Sequence, residues 1–132
     1  MVESLRLETT LPAPPRRIYE AWLDSEKHGA FSGGAAKINP VVGGKHRAWD
    51  EYIEGVNLIL DPYSRIVQTW RTTEFPEGSA DSQIEILLEA IEGGTRLTLI
   101  HLNIPEGQAE QYDTGWRDYY FTPMAEYFAS AE

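Results

Sequence analysis

The stretch that most constrains this chain is Ala109 to Phe128, AEQYDTGWRDYYFTPMAEYF. Wound as a helix, it gathers Ala109, Tyr112, Trp116, Tyr119, Tyr120, Pro123 and Tyr127 on one face, in steps of three and four residues. That is the spacing of an amphipathic helix. Glu110, Thr114, Asp118 and Ala125 fall on the opposite face, with Phe121, Met124 and Phe128 flanking the stripe. So much ring surface demands a broad apolar partner. Pro123 cannot donate a backbone bond to Tyr119, so a kink is expected there.

The rest of the chain reads as the sheet that supplies this partner. Val2 to Thr10 alternates, with Leu5 and Leu7 toward the core, and is expected to be a strand. Pro14-Pro15 suit a helix start, so a helix is expected over Arg16 to Leu23. Asp24 or Ser25 caps a second short helix, Glu26 to Phe31, and Ser32-Gly33-Gly34 breaks it. From there to Asn103 the period is two. Strands are expected at Lys37–Asn39, Lys45–Trp49, Glu51–Leu60, Arg65–Thr72, Ser82–Ile91 and Thr95–Asn103. Turns fall at Gly43-Gly44, near Asp50, at Asp61-Pro62-Tyr63-Ser64 and at Gly93-Gly94, with a polar loop at Glu74–Asp81. Short connections between successive strands imply an antiparallel sheet, one face under the long helix and the other wet. The fold class is α+β, with two short helices after the first strand.

At 132 residues the chain suits one domain with one core. A net charge of -10, with scattered Lys and Arg, argues against a nucleic-acid partner; the plain reading of that charge is solubility. There are no cysteines, which removes disulfides, thiolate nucleophiles and thiolate metal sites. No run of about 18 apolar residues marks a membrane span, and the N-terminus carries charge from its third residue. A cytoplasmic protein is the expectation.

Four segments, in order, resemble a known family: PAPPRRIYEAWLDSEKHGAF (12–31), GGKHRAWDEYIEGVNLILDPYSRIVQTWR (43–71), GGTRLTLIHLNIPEG (93–107) and GWRDYYFTPMAEYF (115–128). They are similar to the activator of heat-shock protein 90 ATPase homologue-like family of the START-like, or SRPBCC, superfamily. The resemblance implies a helix-grip fold, in which a curved antiparallel sheet grips the C-terminal helix over all of 1–132. It also implies a cavity between them, which in the superfamily holds lipids, sterols, hormones or polyketides. The eukaryotic namesake is a two-domain co-chaperone, and this chain resembles only its C-terminal domain.

The candidate ligand-binding residues are Trp22, Phe31, Trp49, Trp70, His101, Tyr112, Trp116 and Tyr120. A small-molecule pocket is mostly apolar with a few placed polar groups, and Trp and Tyr supply both. The alternative is that the rings simply fill a core. Of the three histidines, His28 is expected to be exposed on the short second helix, His46 opens a strand, and His101 points inward with Leu97 and Leu99. His101 is the one weak candidate for a general base. No His or Glu spacing marks a metal site, no nucleophile elbow is present, and no cofactor is implied. The carboxylates read mainly as a solvated face, although Asp50, Glu51 or Glu54 on an irregularly alternating strand leaves open an acid turned toward the cavity. Three readings are ordered as follows: binding of a small apolar or aromatic molecule, a chaperone-associated interaction module, and a hydrolase or cyclase using the same cavity.

Overall fold

The computed structural model describes residues 2–129. Strand β1 (Glu3–Leu11) leads into helices α1 (Pro15–Trp22) and α2 (Ser25–Ser32). The strands β2 (Lys37–Ile38), β3 (Lys45–Ala48), β4 (Ile53–Asp61), β5 (Arg65–Thr72), β6 (Ser82–Ile91) and β7 (Gly94–Ile104) follow. The C-terminal helix consists of α3 (Ala109–Trp116), a π-helical turn (Arg117–Phe121) and α4 (Thr122–Ala129). The seven strands form one open antiparallel sheet in the order β1-β7-β6-β5-β4-β3-β2. Strands β2 to β7 therefore lie side by side in chain order, while β1 pairs with β7 at the far edge. Helices α1 and α2 carry the chain from one edge of the sheet to the other. Among the described residues no helix is long and apolar enough to cross a membrane.

Why α2 starts where it does is plain: the Asp24 carboxylate accepts the Lys27 N–H at 2.9 Å, satisfying one orphan donor of the first turn. On the sheet, the register places Trp70 opposite Ser82 and Ile84 opposite His101. Residues at even spacing then share a face. Ile66, Gln68, Trp70, Ile84, Ile86, Leu97, Leu99 and His101 are all buried, and each fully buried Leu or Ile is worth about 1.5–3 kcal/mol.

The irregular alternation of β4 has a local cause. Asn57 pairs with Gln68 but Ile59 with Val67, so one extra residue, Leu58, bulges from the ladder. Upstream, a Cβ on Gly55 would lie 1.9 Å from the Thr69 carbonyl oxygen, so only glycine fits. The Val56 N–H turns to the Thr69 hydroxyl at 2.8 Å. Asp50, Glu51 and Glu54 are exposed, and the fully buried polar residue of this strand is Asn57.

The aromatic stripe differs from the expected one. The buried side chains are Tyr112, Trp116, Tyr120, Phe121, Met124 and Phe128, whereas Tyr119 is 57% exposed and Pro123 and Tyr127 are half-buried. The π-helical turn explains the shift. The Thr122 N–H bonds to the Arg117 carbonyl, five residues back, and the additional residue in that turn rotates everything after it. Met124 and Phe128 thereby fall beneath Tyr120, in steps of four. Pro123 follows immediately; its missing N–H is accommodated by this rewound turn next to Tyr119, where a simple kink was expected. At the helix start no side chain of the helix itself caps the first turn, and the Glu3 carboxylate on β1 accepts the Ala109 N–H at 3.0 Å. Bonds from the Gly107 and Ala109 N–H groups hold the Glu3 carboxyl below its ordinary range.

Candidate functional site

The helix-covered face of the sheet does not meet the C-terminal helix everywhere. Between them lies a half-open cleft of about 470 Å³, within the ordinary size range for small-molecule sites. Trp70 on β5 and Ile53 at the start of β4 line the sheet side. Trp49 and Tyr52 come from the β3–β4 turn, and Tyr112, Trp116, Tyr119 and Tyr120 from the helix. The β3–β4 turn is tight because Trp49 and Asp50 both adopt left-handed backbone, at φ 52° and 63°, the sparsely used region for a bulky residue. The Trp49 ring packs close to Gly34, where a Cβ would come within 2.5 Å of it. The same ring meets the exposed Tyr119 ring edge to face at 5.6 Å. Gly115 faces the cleft from mid-helix, and a Cβ there would have no atom within 4 Å.

Of the side chains picked out by sequence, Trp49, Trp70, Tyr112, Trp116 and Tyr120 line this cleft, and Trp22, Phe31 and His101 do not. These three form its backing. Trp22 stacks on Trp116 at 6.4 Å and meets Tyr120 in a tilted contact at 5.2 Å. Phe31 lies behind Trp22 at 6.0 Å, and His101 sits under Trp70 at 4.6 Å. Sequence reasoning missed Tyr52, Ile53, Gln111, Gly115 and Tyr119 as wall residues. For Gly115 a signal was present: it lies three residues after Tyr112 and four before Tyr119, on the stripe itself.

His101 is fully buried, and its hydrogen bonds fix its chemistry. Ser82 donates its hydroxyl proton to the Trp70 carbonyl. Its oxygen therefore accepts from the His101 Nε2–H at 2.9 Å. The Trp116 indole N–H donates to His101 Nδ1 at 3.1 Å. Both ring nitrogens are used and the tautomer is set. Burial holds the imidazole neutral, with its pKa pushed down to about 3. Neither nitrogen is left to take a proton from a bound molecule; His101 seats Trp116 in the wall.

His28 is buried, at 3% exposure, not exposed as its place beside Lys27 suggests. Helix α2 turns His28, Phe31 and Ser32 inward. The His28 Nδ1–H donates to the Trp22 carbonyl at 2.8 Å, and Nε2 accepts the Tyr120 hydroxyl proton at 2.9 Å. One imidazole so ties α1, α2 and the C-terminal helix together. Burial lowers its pKa to about 4, against the opposing pull of the Trp22 carbonyl. A second buried polar chain runs from the Trp22 indole to Gln68 at 3.2 Å and on to Asn57 at 2.8 Å. Asn57 then donates to the Asn39 and Val41 carbonyls at 2.8 and 3.0 Å. His46, also buried, bonds the Thr69 carbonyl through Nε2 at 2.9 Å, and burial lowers its pKa.

One rim of the cleft is polar. The Tyr52 hydroxyl donates to the Glu74 carboxylate, which also accepts from the Gln111 side chain at 3.1 Å. The Glu74 carbonyl accepts from the Gln108 side chain at 2.9 Å. Tyr112 donates to Gln108 Oε1 at 2.7 Å and meets the Thr72 hydroxyl at 2.7 Å. The Tyr52 hydrogen bond holds Glu74 ionised, below its usual pKa, with Gln111 adding to the effect; desolvation and the same carboxylate drive the Tyr52 phenol upward. Phe75 is buried against Trp70 at 6.2 Å and Tyr112 at 6.1 Å, so the start of the loop after β5 is pinned to the site. Among the described residues no three His, Asp or Glu side chains converge to hold a metal ion.

Comparison with known proteins agrees with this architecture. The family model described as Activator of Hsp90 ATPase homolog 1-like protein matches residues 12–129. A Dictyostelium discoideum protein named activator of 90 kDa heat shock protein ATPase homolog is 29% identical over 117 residues, 87% of this chain and 30% of that protein. The chain spans about a third of the length of the curated relatives it matches, 30% and 35% in two cases. An HSP90 activator from Plasmodium falciparum superposes with a TM-score of 0.88 at 23% identity, covering 96% of each chain. A protein from Chromobacterium violaceum superposes at 0.80 with 25% identity, over 97% of this chain and 98% of that one. The shared fold is the helix grip, with the sheet closed over a C-terminal helix.

Proposed function

The chain belongs to the Activator of Hsp90 ATPase homolog 1-like family, and on that footing we propose that it binds a small, largely apolar or aromatic molecule between its sheet and its C-terminal helix. The observation that carries this is the cleft of about 470 Å³ walled by Trp49, Tyr52, Trp70, Tyr112, Trp116 and Tyr120. A core that only needed filling would not leave seven rings, Tyr119 included, facing a gap, nor brace Trp116 and Tyr120 from behind through His101 and His28. Burying about 200 Å² of apolar ligand surface at ~25 cal/mol per Å² yields about 5 kcal/mol. That gain alone corresponds to a dissociation constant of about 0.2 mM; association costs oppose it and ring stacking adds to it, so sub-millimolar affinity is expected for a well-fitting ligand. Titration with a panel of lipids and bicyclic aromatics, followed by tryptophan emission and calorimetry, tests the reading. Sub-millimolar binding that is lost in Gly115→Phe supports it; no binding below millimolar across the panel refutes it.

The family description and the name of the Dictyostelium relative favour a second reading, a contact with an Hsp90-type chaperone. The chain covers only 30% of that relative, so stimulation of the ATPase is a separate matter from binding. Its test is chaperone ATPase turnover with and without the purified chain: a rise supports the reading, an unchanged rate counts against it.

A further inference from the structure

Resting on the reading of the cleft as a ligand site, we propose that its ligand is an organic cation, an apolar or aromatic group bearing an ammonium-type charge, in preference to a carboxylate or phosphate. Three observations converge on this.

First, the lining includes no Lys or Arg. The basic residues nearest in sequence are already engaged: Arg117 with Asp113 at 2.6 Å, Arg47 with Glu51 at 3.7 Å and Arg71 with Asp81 at 3.0 Å. A bound anion would be desolvated with no counter-charge.

Second, five lining side chains already spend hydrogen-bond donors within the protein. Tyr52 and one Gln111 N–H are spent on Glu74, Tyr112 on Gln108, Trp116 on His101 and Tyr120 on His28. What these side chains offer a guest is mainly ring surface. Aromatic faces are electron-rich and attract cations, above all where water is excluded.

Third, the charged group bonded to two lining side chains is a carboxylate, Glu74, kept ionised by its Tyr52 bond. The turn that carries Trp49 and Tyr52 bears exposed Asp50 and Glu51. The whole chain carries a net charge of -10, which draws cations toward it before contact.

The test uses three probes with one naphthyl scaffold: (2-naphthylmethyl)trimethylammonium, 2-naphthalenemethanol and 2-naphthoate. Each is titrated calorimetrically into the full chain at near-physiological salt. The cation is expected to bind about tenfold tighter than the alcohol, in line with a desolvated cation–π contact, and the carboxylate weakest. Its N-methyl proton signals are expected to move upfield under the ring currents of the wall, and Gly115→Phe is expected to abolish binding. If Gly115→Phe does not fold, the N-methyl shift in the unmodified chain decides alone. Equal affinities for cation and alcohol, or a tighter carboxylate, overturn the proposal and leave the cleft as a ligand site. Cation binding without an upfield N-methyl shift assigns it to the acidic surface and overturns the proposal as well. If none of the three probes binds, the reading of the cleft fails and this proposal fails with it.

Discussion

Gly115→Ala is predicted to make this protein more stable. A glycine inside a helix costs about 1 kcal/mol relative to alanine, because the unfolded chain has more freedom to lose. That gain is normally cancelled when the new methyl collides with something. Here nothing lies within 4 Å of the Cβ position, and Gly115 does not have positive φ. The full gain of about 1 kcal/mol should therefore appear. With an unfolding entropy of about 2.1 cal/mol/K per residue, a chain of 132 residues should melt about 3–4 °C higher. Scanning calorimetry of the two proteins side by side is the assay. An alanine variant that melts at or below the parent would refute the reasoning, since the methyl would then be meeting atoms, and the cleft would be closed in solution. The same arithmetic bears on function: a helix that forgoes this stability exactly where it borders a cavity keeps room that a side chain would occupy.

Three further outcomes follow from the buried histidines and their partners. Both His28 and His101 are held neutral, at pKa values of about 4 and about 3 against 6.5 when unfolded. The unfolded chain therefore takes up protons first as pH falls, and stability present above pH 6.5 is lost on the way down toward each folded value. Between pH 7 and 4.5 the two together should cost about 5 kcal/mol, read as a drop in the urea midpoint; a midpoint flat over that window would contradict the buried neutral pair. Tyr120→Phe removes the donor to His28 Nε2 and should destabilise by about 1–3 kcal/mol, measured by urea unfolding at pH 7. Trp116→Phe strands His101 Nδ1 in the same way, with a loss of similar size and a weakened response to any cleft ligand in calorimetry.

Much of the architecture was legible because local and global signals agreed. Arg65–Thr72 and Ser82–Ile91 are strands over the expected residues, since alternation and flanking turns point to the same register. The failures came where a local pattern was rewritten by a distant partner or by the backbone. A strict helical period cannot anticipate a π-helical turn, so the sequence alone phases the stripe through Tyr119, Pro123 and Tyr127 and not through Met124 and Phe128. His28 looked exposed because its neighbour is Lys27, yet the group that buries it, Tyr120, lies 92 residues away. Aromatic type alone does not distinguish a wall from its backing, so the sequence offers Trp22 and Phe31 as cavity residues although they lie behind it. Only the stacking of Trp22 on Trp116 separates the two.

The most direct test of the central claim uses the four tryptophans as reporters. In a proton–nitrogen correlation spectrum their indole N–H signals are counted separately, assigned by single Trp→Phe variants, and followed during titration with a naphthyl probe. Trp49, Trp70 and Trp116 line the cleft, while Trp22 lies behind it with its N–H held by Gln68. The signals of the three wall tryptophans are predicted to move together and saturate with one dissociation constant, with Trp22 moving least. Indole signals that stay fixed up to millimolar probe, or a response confined to Trp22, would contradict it.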